Sequence, residues 1–78
     1  MSADVAVIGL GRVGLPLALA FADRGLSVIG VDNNAALLEA VRGGRMPFDE
    51  PGAQEVLERV ADRLTLGERA EDAAPATH

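Results

Sequence analysis

Three glycines and one acid are the residues of this chain whose types and spacing suit binding chemistry. Gly9, Gly11 and Gly14 form a G-x-G-x-x-G pattern, and Asp32 ends the next apolar run. In such a turn the first glycine makes a tight bend, the second lets the backbone approach a pyrophosphate, and the third lets a helix pack closely. An acid after the following strand accepts hydrogen bonds from ribose hydroxyls. The four residues therefore predict a dinucleotide site.

The backbone of the turn supplies the groups that would bind an anion. The N–H groups of Gly11, Arg12 and Val13 lie where a helix is predicted to begin, so they lack helical partners. The dipole of that helix also favours negative charge at its start. The turn can therefore hold a phosphate without any charged side chain.

Asp32 also selects between the two nicotinamide dinucleotides. Its carboxylate repels a 2′-phosphate, and the residues after it are Asn33 and Asn34 where an NADP site has an arginine. We expect NAD as the cofactor, with Asn33 beside Asp32 in its site. Two alternatives remain open: the glycines only close a strand–helix corner while Asp32 caps a helix, or the turn binds FAD or another nucleotide.

The elements that must position these residues follow from the apolar runs. Val5–Ile8 is short, contains β-branched residues and stops at a glycine, which favours a buried parallel strand over a segment of buried helix. Residues 12–24 predict a helix with Pro16 in its first turn and Gly25 as its stop. Residues 27–31 predict the second strand. Together these elements form a βαβ unit.

The rest of the chain continues the alternation of helices and strands. Asn33 or Asn34 is expected to cap a helix over Ala35–Arg42, because a short side-chain oxygen accepts from free N–H groups. Met46 and Phe48 are expected to anchor the following loop on the core. The remaining predicted elements are that loop at 45–52, a helix at 53–63 and a brief strand at 64–66.

These elements predict an α/β fold, the first half only of a Rossmann-like three-layer fold, with a short parallel sheet of about three strands. We expect residues 1–66 to form this partial domain. Residues 67–78 are expected to be a polar, Ala-rich tail that is frayed or begins the next helix, with His78 as a solvated tail residue.

The expected strand order has consequences for the sheet. In the order 3-2-1-4-5-6, strand 1 has one bare edge here, and right-handed connections leave the second faces of strands 1 and 2 uncovered. We therefore expect the chain alone to be unstable or to self-associate through its open sheet edge.

Composition excludes several classes of protein. The net charge is −5 and the chain has no lysine, which argues against a nucleic-acid partner. The absence of cysteine excludes a disulfide scaffold and a cysteine-based metal centre, and we assign no metal site. No apolar run approaches the roughly 18 residues of a membrane span, and the N-terminus lacks a basic n-region. We expect a cytoplasmic protein with no membrane partner.

Residues 5–32, together with the later run PFDEPGAQEVL, resemble the N-terminal NAD-binding domain of the UDP-glucose/GDP-mannose dehydrogenase family. The run GRVGLPLA and the Glu-Pro-Gly patch that begins at Glu50 are particularly close. The resemblance covers about residues 4–66. It implies that Asp32 lies at the ribose and that the following residues lie at the pyrophosphate: Gly9, Gly11, Val13 and Gly14.

The resemblance also implies an activity. Members of this family oxidise the C6 alcohol of a nucleotide sugar to a carboxylate with NAD⁺, in polysaccharide biosynthesis. Their catalytic cysteine and lysine have no counterpart here, because the chain contains neither residue type. The resemblance therefore implies that this chain binds NAD, meets the nucleotide sugar only within a full-length enzyme, and does not catalyse the reaction alone.

Two residues each have two alternative roles. Glu50 is a candidate on the substrate-side loop; its alternative is an acid in the first turn of the third helix, where it would favour the dipole. Arg12 stands where the family usually has an aromatic residue, and it either contacts a phosphate or faces solvent.

Two other interpretations of the whole chain remain open. The same turn occurs in other NAD(P) dehydrogenases of the 3-hydroxyisobutyrate or 6-phosphogluconate type, although the Glu-Pro-Gly patch argues against them. The chain would otherwise be a non-catalytic nucleotide-binding or interaction module.

Overall fold

A computed structural model describes residues 3–73 and residue 76 of the chain. Its described part contains three parallel strands in the order β1-β2-β3, as predicted, with helices between them. The strands are β1 (Val5–Ile8), β2 (Val28–Val31) and β3 (Leu64–Gly67); the helices are α1 (Gly14–Asp23), α2 (Ala35–Arg42) and α3 (Ala53–Val60); two short 3₁₀ helices span Ala61–Arg63 and Ala70–Ala73.

The register of the sheet brings the carboxyl ends of all three strands together. Ile8 lies opposite Val31, and Val31 lies opposite Gly67. The residue that follows each strand therefore emerges at the same edge of the sheet. This edge holds the glycine turn after β1 and Asp32 after β2.

One face of the sheet carries all three α-helices, as the right-handed connections require. Val7 and Val28 point to this face and pack with the buried side of α1 and with Leu38 and Leu57 from the other two helices. Their burial is nearly complete, since Val28 and Leu38 are both 0% exposed. This face holds the main core of the protein.

The second face of the sheet is covered where the sequence predicted that it would be bare. Ile29 and Val31 are only 6% and 4% exposed, and they pack with Ala3, Ala73 and Ala76. The prediction was wrong for these two strand residues, because the chain after β3 turns back over the sheet and Ala76 forms a parallel bridge with Ala3.

A single acid shapes this return of the chain. Asp72 Oδ2 accepts hydrogen bonds of 3.0 Å from the N–H groups of both Glu68 and Arg69. The cover does not reach the end of β1, where Ile8 remains 63% exposed, as predicted for this face.

Two helix ends differ from the predictions by more than one residue. Helix α1 begins at Gly14 instead of residue 12, and α3 ends at Val60, where the chain tightens into a 3₁₀ turn. Asn34, one of the two predicted caps, accepts the N–H of Leu37 at 3.2 Å at the start of α2. The other differences are single residues, at the end of α1 and at strand ends.

The C-terminal tail is described in part. Of residues 67–78, positions 67–73 and 76 are described and include one short 3₁₀ turn. The prediction for His78 lies outside the described residues, and the domain boundary after residue 66 stays a prediction. Among the described residues, no helix combines the length and the apolar character needed to cross a membrane.

Candidate functional site

The glycine turn joins β1 to α1 through backbone that only glycine fits well. Gly9 has a φ of 91° and donates its N–H to the carbonyl of Val31 at 2.7 Å. A Cβ on Gly14 would lie 1.7 Å from the carbonyl oxygen of Gly9, so the helix can start here only without a side chain. A Cβ on Gly11 would meet nothing within 4 Å, which leaves the space beside that residue open.

The turn contains backbone donors that have no partner in the part of the chain that the structure describes. Leu15 donates to the carbonyl of Gly11 at 3.0 Å, and Val13, at the N-cap, offers no side-chain cap. Within residues 3–73 and 76, the N–H groups of the four residues that precede Leu15 have no acceptor. Four free donors and the positive end of the α1 dipole form a site for an anion. These donors belong to Gly11, Arg12, Val13 and Gly14.

Asp32 is held in place by the backbone at both carboxylate oxygens. Oδ2 accepts the N–H of Leu10, in the glycine turn, at 2.8 Å, and Oδ1 accepts the N–H of Asn34 at 2.8 Å. Each oxygen retains a second lone pair for a hydroxyl donor. The carboxylate therefore ties the turn to the end of β2 and remains able to bind a sugar.

A cavity of about 280 Å³ lies at this edge of the sheet. It brings together Gly9, Asp32 and Asn33, three of the residues singled out in the sequence, with an acid that the sequence analysis missed, Glu68. The only signal for Glu68 was its position after the third strand, which matters once the strand order is known. The cavity is lined by Ile8, Gly9, Val31, Asp32, Asn33 and Glu68.

Arg12 is exposed, as one of the sequence alternatives had it, and it also makes a contact that neither alternative described. Its guanidinium carbon lies 5.1 Å from the ring centroid of Phe48, which is cation–π distance. Phe48 and Met46 are half-buried against the main core, so both anchor their loop as predicted. The stacking joins the Arg12 side chain to the loop that carries Phe48.

Glu50 lies away from the Asp32 cavity. It is exposed, it precedes α3 by three residues, and its carbonyl accepts the N–H of Ala53 at 3.0 Å. The acid in the first turn of α3 is Glu55, so the helical alternative for Glu50 was wrong. The depression beside Glu50 is a separate one between α1 and α3, and it includes Pro16.

A family model matches nearly the whole chain. The model is that of the NAD binding domain of the UDP-glucose/GDP-mannose dehydrogenase family, and it matches residues 3–77. A UDP-N-acetyl-D-mannosamine dehydrogenase from Yersinia pestis is 47% identical over 53 residues, which are 68% of this chain and 13% of that protein. The UDP-glucose 6-dehydrogenase AglM of Haloferax volcanii is 39% identical over 62 residues, 78% of this chain and 14% of the relative.

Solved structures agree with this match. A UDP-glucose dehydrogenase from the archaeon Pyrobaculum islandicum superposes with a TM-score of 0.84 and 41% identity, covering 94% of this chain and 17% of that one. A GDP-mannose dehydrogenase from Pseudomonas aeruginosa, solved as a ternary complex, gives a TM-score of 0.83 and 31% identity, covering 88% and 16%. The chain thus spans less than a fifth of the length of the relatives it matches.

Proposed function

The chain belongs to the UDP-glucose/GDP-mannose dehydrogenase family, and from that premise we propose that it is the NAD-binding part of an NAD-dependent nucleotide-sugar 6-dehydrogenase. The matched region is the NAD binding domain of the family, so NAD is the cofactor. The reaction of the whole enzyme is the oxidation of the C6 alcohol of a UDP- or GDP-sugar to a carboxylate.

One observation carries the proposal. Four backbone donors at the start of α1 have no acceptor among the described residues, and the same turn is hydrogen-bonded through Leu10 to the carboxylate of Asp32. The donors would bind the pyrophosphate of NAD, and Asp32 would bind its adenosine ribose. Asn33, which lines the same cavity, would lie beside the ribose.

Arg12 adds a positive charge to this proposal. It carries the only charged side chain of the turn, and none of the described acids pairs with it. The guanidinium lies beside the Phe48 ring, and the Arg12 residue is exposed, so its N–H groups are accessible to a ligand. We assign Arg12 to the pyrophosphate, where its charge supplements the backbone donors.

Catalysis and location follow from the family resemblance. The chain contains no cysteine and no lysine, the residue types that the family uses for catalysis. Its proposed share of the activity is therefore cofactor binding, with Glu50 on the loop that approaches the nucleotide sugar. A cytoplasmic location and a role in polysaccharide biosynthesis belong to the same proposal.

A titration of the 78-residue chain with NAD and NADP tests the function. The expected result is saturable binding of NAD at millimolar or lower concentration, with NADP binding several times more weakly because Asp32 repels its 2′-phosphate. Isothermal titration calorimetry measures both constants. Absence of NAD binding by chain that circular dichroism shows to be folded would contradict the proposal.

We also propose that the isolated chain self-associates through the outer edge of β1. Ile8, Val13 and Leu17 are large apolar residues that are 63%, 82% and 47% exposed. Along Val5–Ile8, β1 pairs only with β2 among the described residues. Sedimentation velocity over a concentration series tests this: a mass that rises with concentration is expected, and a monomer with a cooperative thermal transition would contradict it.

A further inference from the structure

We propose that Glu68 is a second specificity-determining acid of the cofactor site, which excludes dinucleotides that carry a 2′-phosphate. This inference rests on the proposed function, because it assumes that NAD binds at the glycine turn. It extends the role given to Asp32 to a residue from a different strand, which the motif around the turn does not include.

Glu68 reaches the site through the strand register. It follows Gly67, the last residue of β3, whose partner in β2 is Val31, and Val31 precedes Asp32. Neighbouring strands lie about 4.8 Å apart, so the two acids emerge next to each other. Both line the same cavity of about 280 Å³.

The backbone at Glu68 is fixed while its carboxylate is not. Its N–H donates to Asp72 Oδ2 at 3.0 Å, and a Cβ on Gly67 would lie 2.5 Å from the Cβ of Asp72, so the chain packs tightly here. The Glu68 side chain is exposed and has no hydrogen-bond or ion-pair partner in the described part of the chain. Its charge is therefore available to act on a ligand.

The order of the strands gives the reason for specificity. The pyrophosphate site follows β1 and the ribose site at Asp32 follows β2, so the side of the ribose away from the pyrophosphate faces the end of β3. A 2′-phosphate on that side would lie between Asp32 and Glu68. It carries a charge of about −1.5 to −2, and each nearby carboxylate raises its electrostatic energy. The neutral 2′-hydroxyl of NAD meets no such repulsion.

A neighbouring arginine does not cancel this effect. Arg69 follows Glu68 directly and lines a second depression, which Glu68 shares with Arg42 and Asp72. Arg69 is absent from the lining of the Asp32 cavity. The local charge at the ribose end of the site is therefore negative.

The test compares two variants with the same change in net charge. Glu68→Gln removes the proposed acid, while Glu39→Gln removes an exposed acid on α2, remote from the cavity. We expect Glu68→Gln to strengthen NADP binding by about fivefold at low ionic strength and to change NAD binding by less than about twofold. Glu68→Arg should strengthen NADP binding further, by about twentyfold. Glu39→Gln should leave the ratio of the two dissociation constants unchanged.

Dissociation constants are read from NMR titrations of the 78-residue chain, whose spectra also report folding. The inference is overturned if NAD binds the wild-type chain but the ratio is unchanged in both Glu68 variants. It is also overturned if Glu39→Gln shifts this ratio of dissociation constants as much as Glu68→Gln does. Equal weakening of NAD and NADP binding in the Glu68 variants would overturn it as well. A folded wild-type chain that binds no NAD instead overturns the proposed function, and this inference with it.

Discussion

Two glycine-containing loops of this chain differ in whether their backbone groups are hydrogen-bonded. The turn at residues 9–14 leaves four N–H groups without acceptors in the described structure. The loop at residues 43–52 is closed by one side chain: Gln54 accepts the N–H of Met46 at 2.9 Å and donates to the carbonyl of Gly44 at 2.6 Å. Both loops use glycines with positive φ, so glycine content does not distinguish them.

The difference between the loops lies in what remains unsatisfied. Buried or half-buried backbone groups are normally paired within a protein, as they are around Gln54. Donors left open at a helix start are instead available to a ligand. The first loop is therefore open to a ligand, whereas the second loop stabilises its own conformation. Four substitutions test this difference.

Gly14→Ala should have the largest effect. Its Cβ would lie 1.7 Å from the Gly9 carbonyl oxygen, so the turn must move and lose its alignment of donors. We expect NAD affinity to fall by at least about thirtyfold, or about 2 kcal/mol, measured by calorimetry. The matched control in the second loop is Gly44→Ala, where φ is 78° and the space is open. It should lower the free energy of unfolding by about 1 kcal/mol without changing NAD affinity. Equal losses of NAD affinity in both variants would show that the two loops do not differ in ligand binding.

Asp32→Asn should rank second. The substitution removes the negative charge and one acceptor from a group that holds both Leu10 and Asn34. We expect about a tenfold loss of NAD affinity, or about 1.4 kcal/mol, and a smaller preference for NAD over NADP. Asp49→Asn makes the same change at an exposed position of the second loop and should leave both constants unchanged. An Asp32→Asn chain with wild-type affinity would show that this acid only supports the turn.

Gln54→Ala should affect stability alone. It removes the bonds to Met46 and Gly44 and a 2.7 Å bond to Glu58, leaving part-buried backbone groups unpaired. We expect the free energy of unfolding to fall by about 1–2 kcal/mol, measured by urea denaturation, with NAD affinity within about twofold. A large loss of NAD affinity in folded Gln54→Ala would mean that the second loop is part of the binding site.

Arg12→Gln should have the smallest effect. This substitution removes the cation–π contact with Phe48, the one such contact described between the two loops. An exposed cation beside a phosphate and a ring contributes modestly, so we expect about a threefold loss of NAD affinity that disappears at high salt. Arg45→Gln removes an exposed arginine from the second loop and should show no salt-dependent loss. The same change of NAD affinity with salt in both variants would show that Arg12 does not contribute to the NAD site.

The strands, the helices and the glycine turn could be predicted from the sequence, because each depends on residues that are close together in the chain. Apolar β-branched runs predicted β1 and β2, and the glycine pattern predicted the bend at Gly9 and the tight packing at Gly14. The free N–H groups of residues 11–13 were predicted, but the start of α1 was placed two residues early, because the motif does not reveal at which residue the helical backbone begins.

Features that depend on contacts between distant parts of the chain could not be predicted from the sequence. The cover over Ile29 and Val31 comes from Ala3 and from alanines after β3, and nothing in the polar, Ala-rich composition of the tail indicated that it would pack on the sheet. Glu68 joins the cavity only through the register of β3 with β2. The contact of Arg12 with Phe48 joins segments that are far apart in sequence, and its geometry is fixed by how the second loop packs on the core.

The most direct test of the central claim is to watch the backbone donors themselves. The ¹⁵N–¹H spectrum of the 78-residue chain, titrated with NAD, reports each N–H group separately. The account predicts that the largest shifts occur at Gly11, Arg12, Val13 and Gly14, and that Gly44 and Met46 in the second loop stay unchanged. Shifts concentrated in the second loop, or none in the turn at saturating NAD, would contradict it.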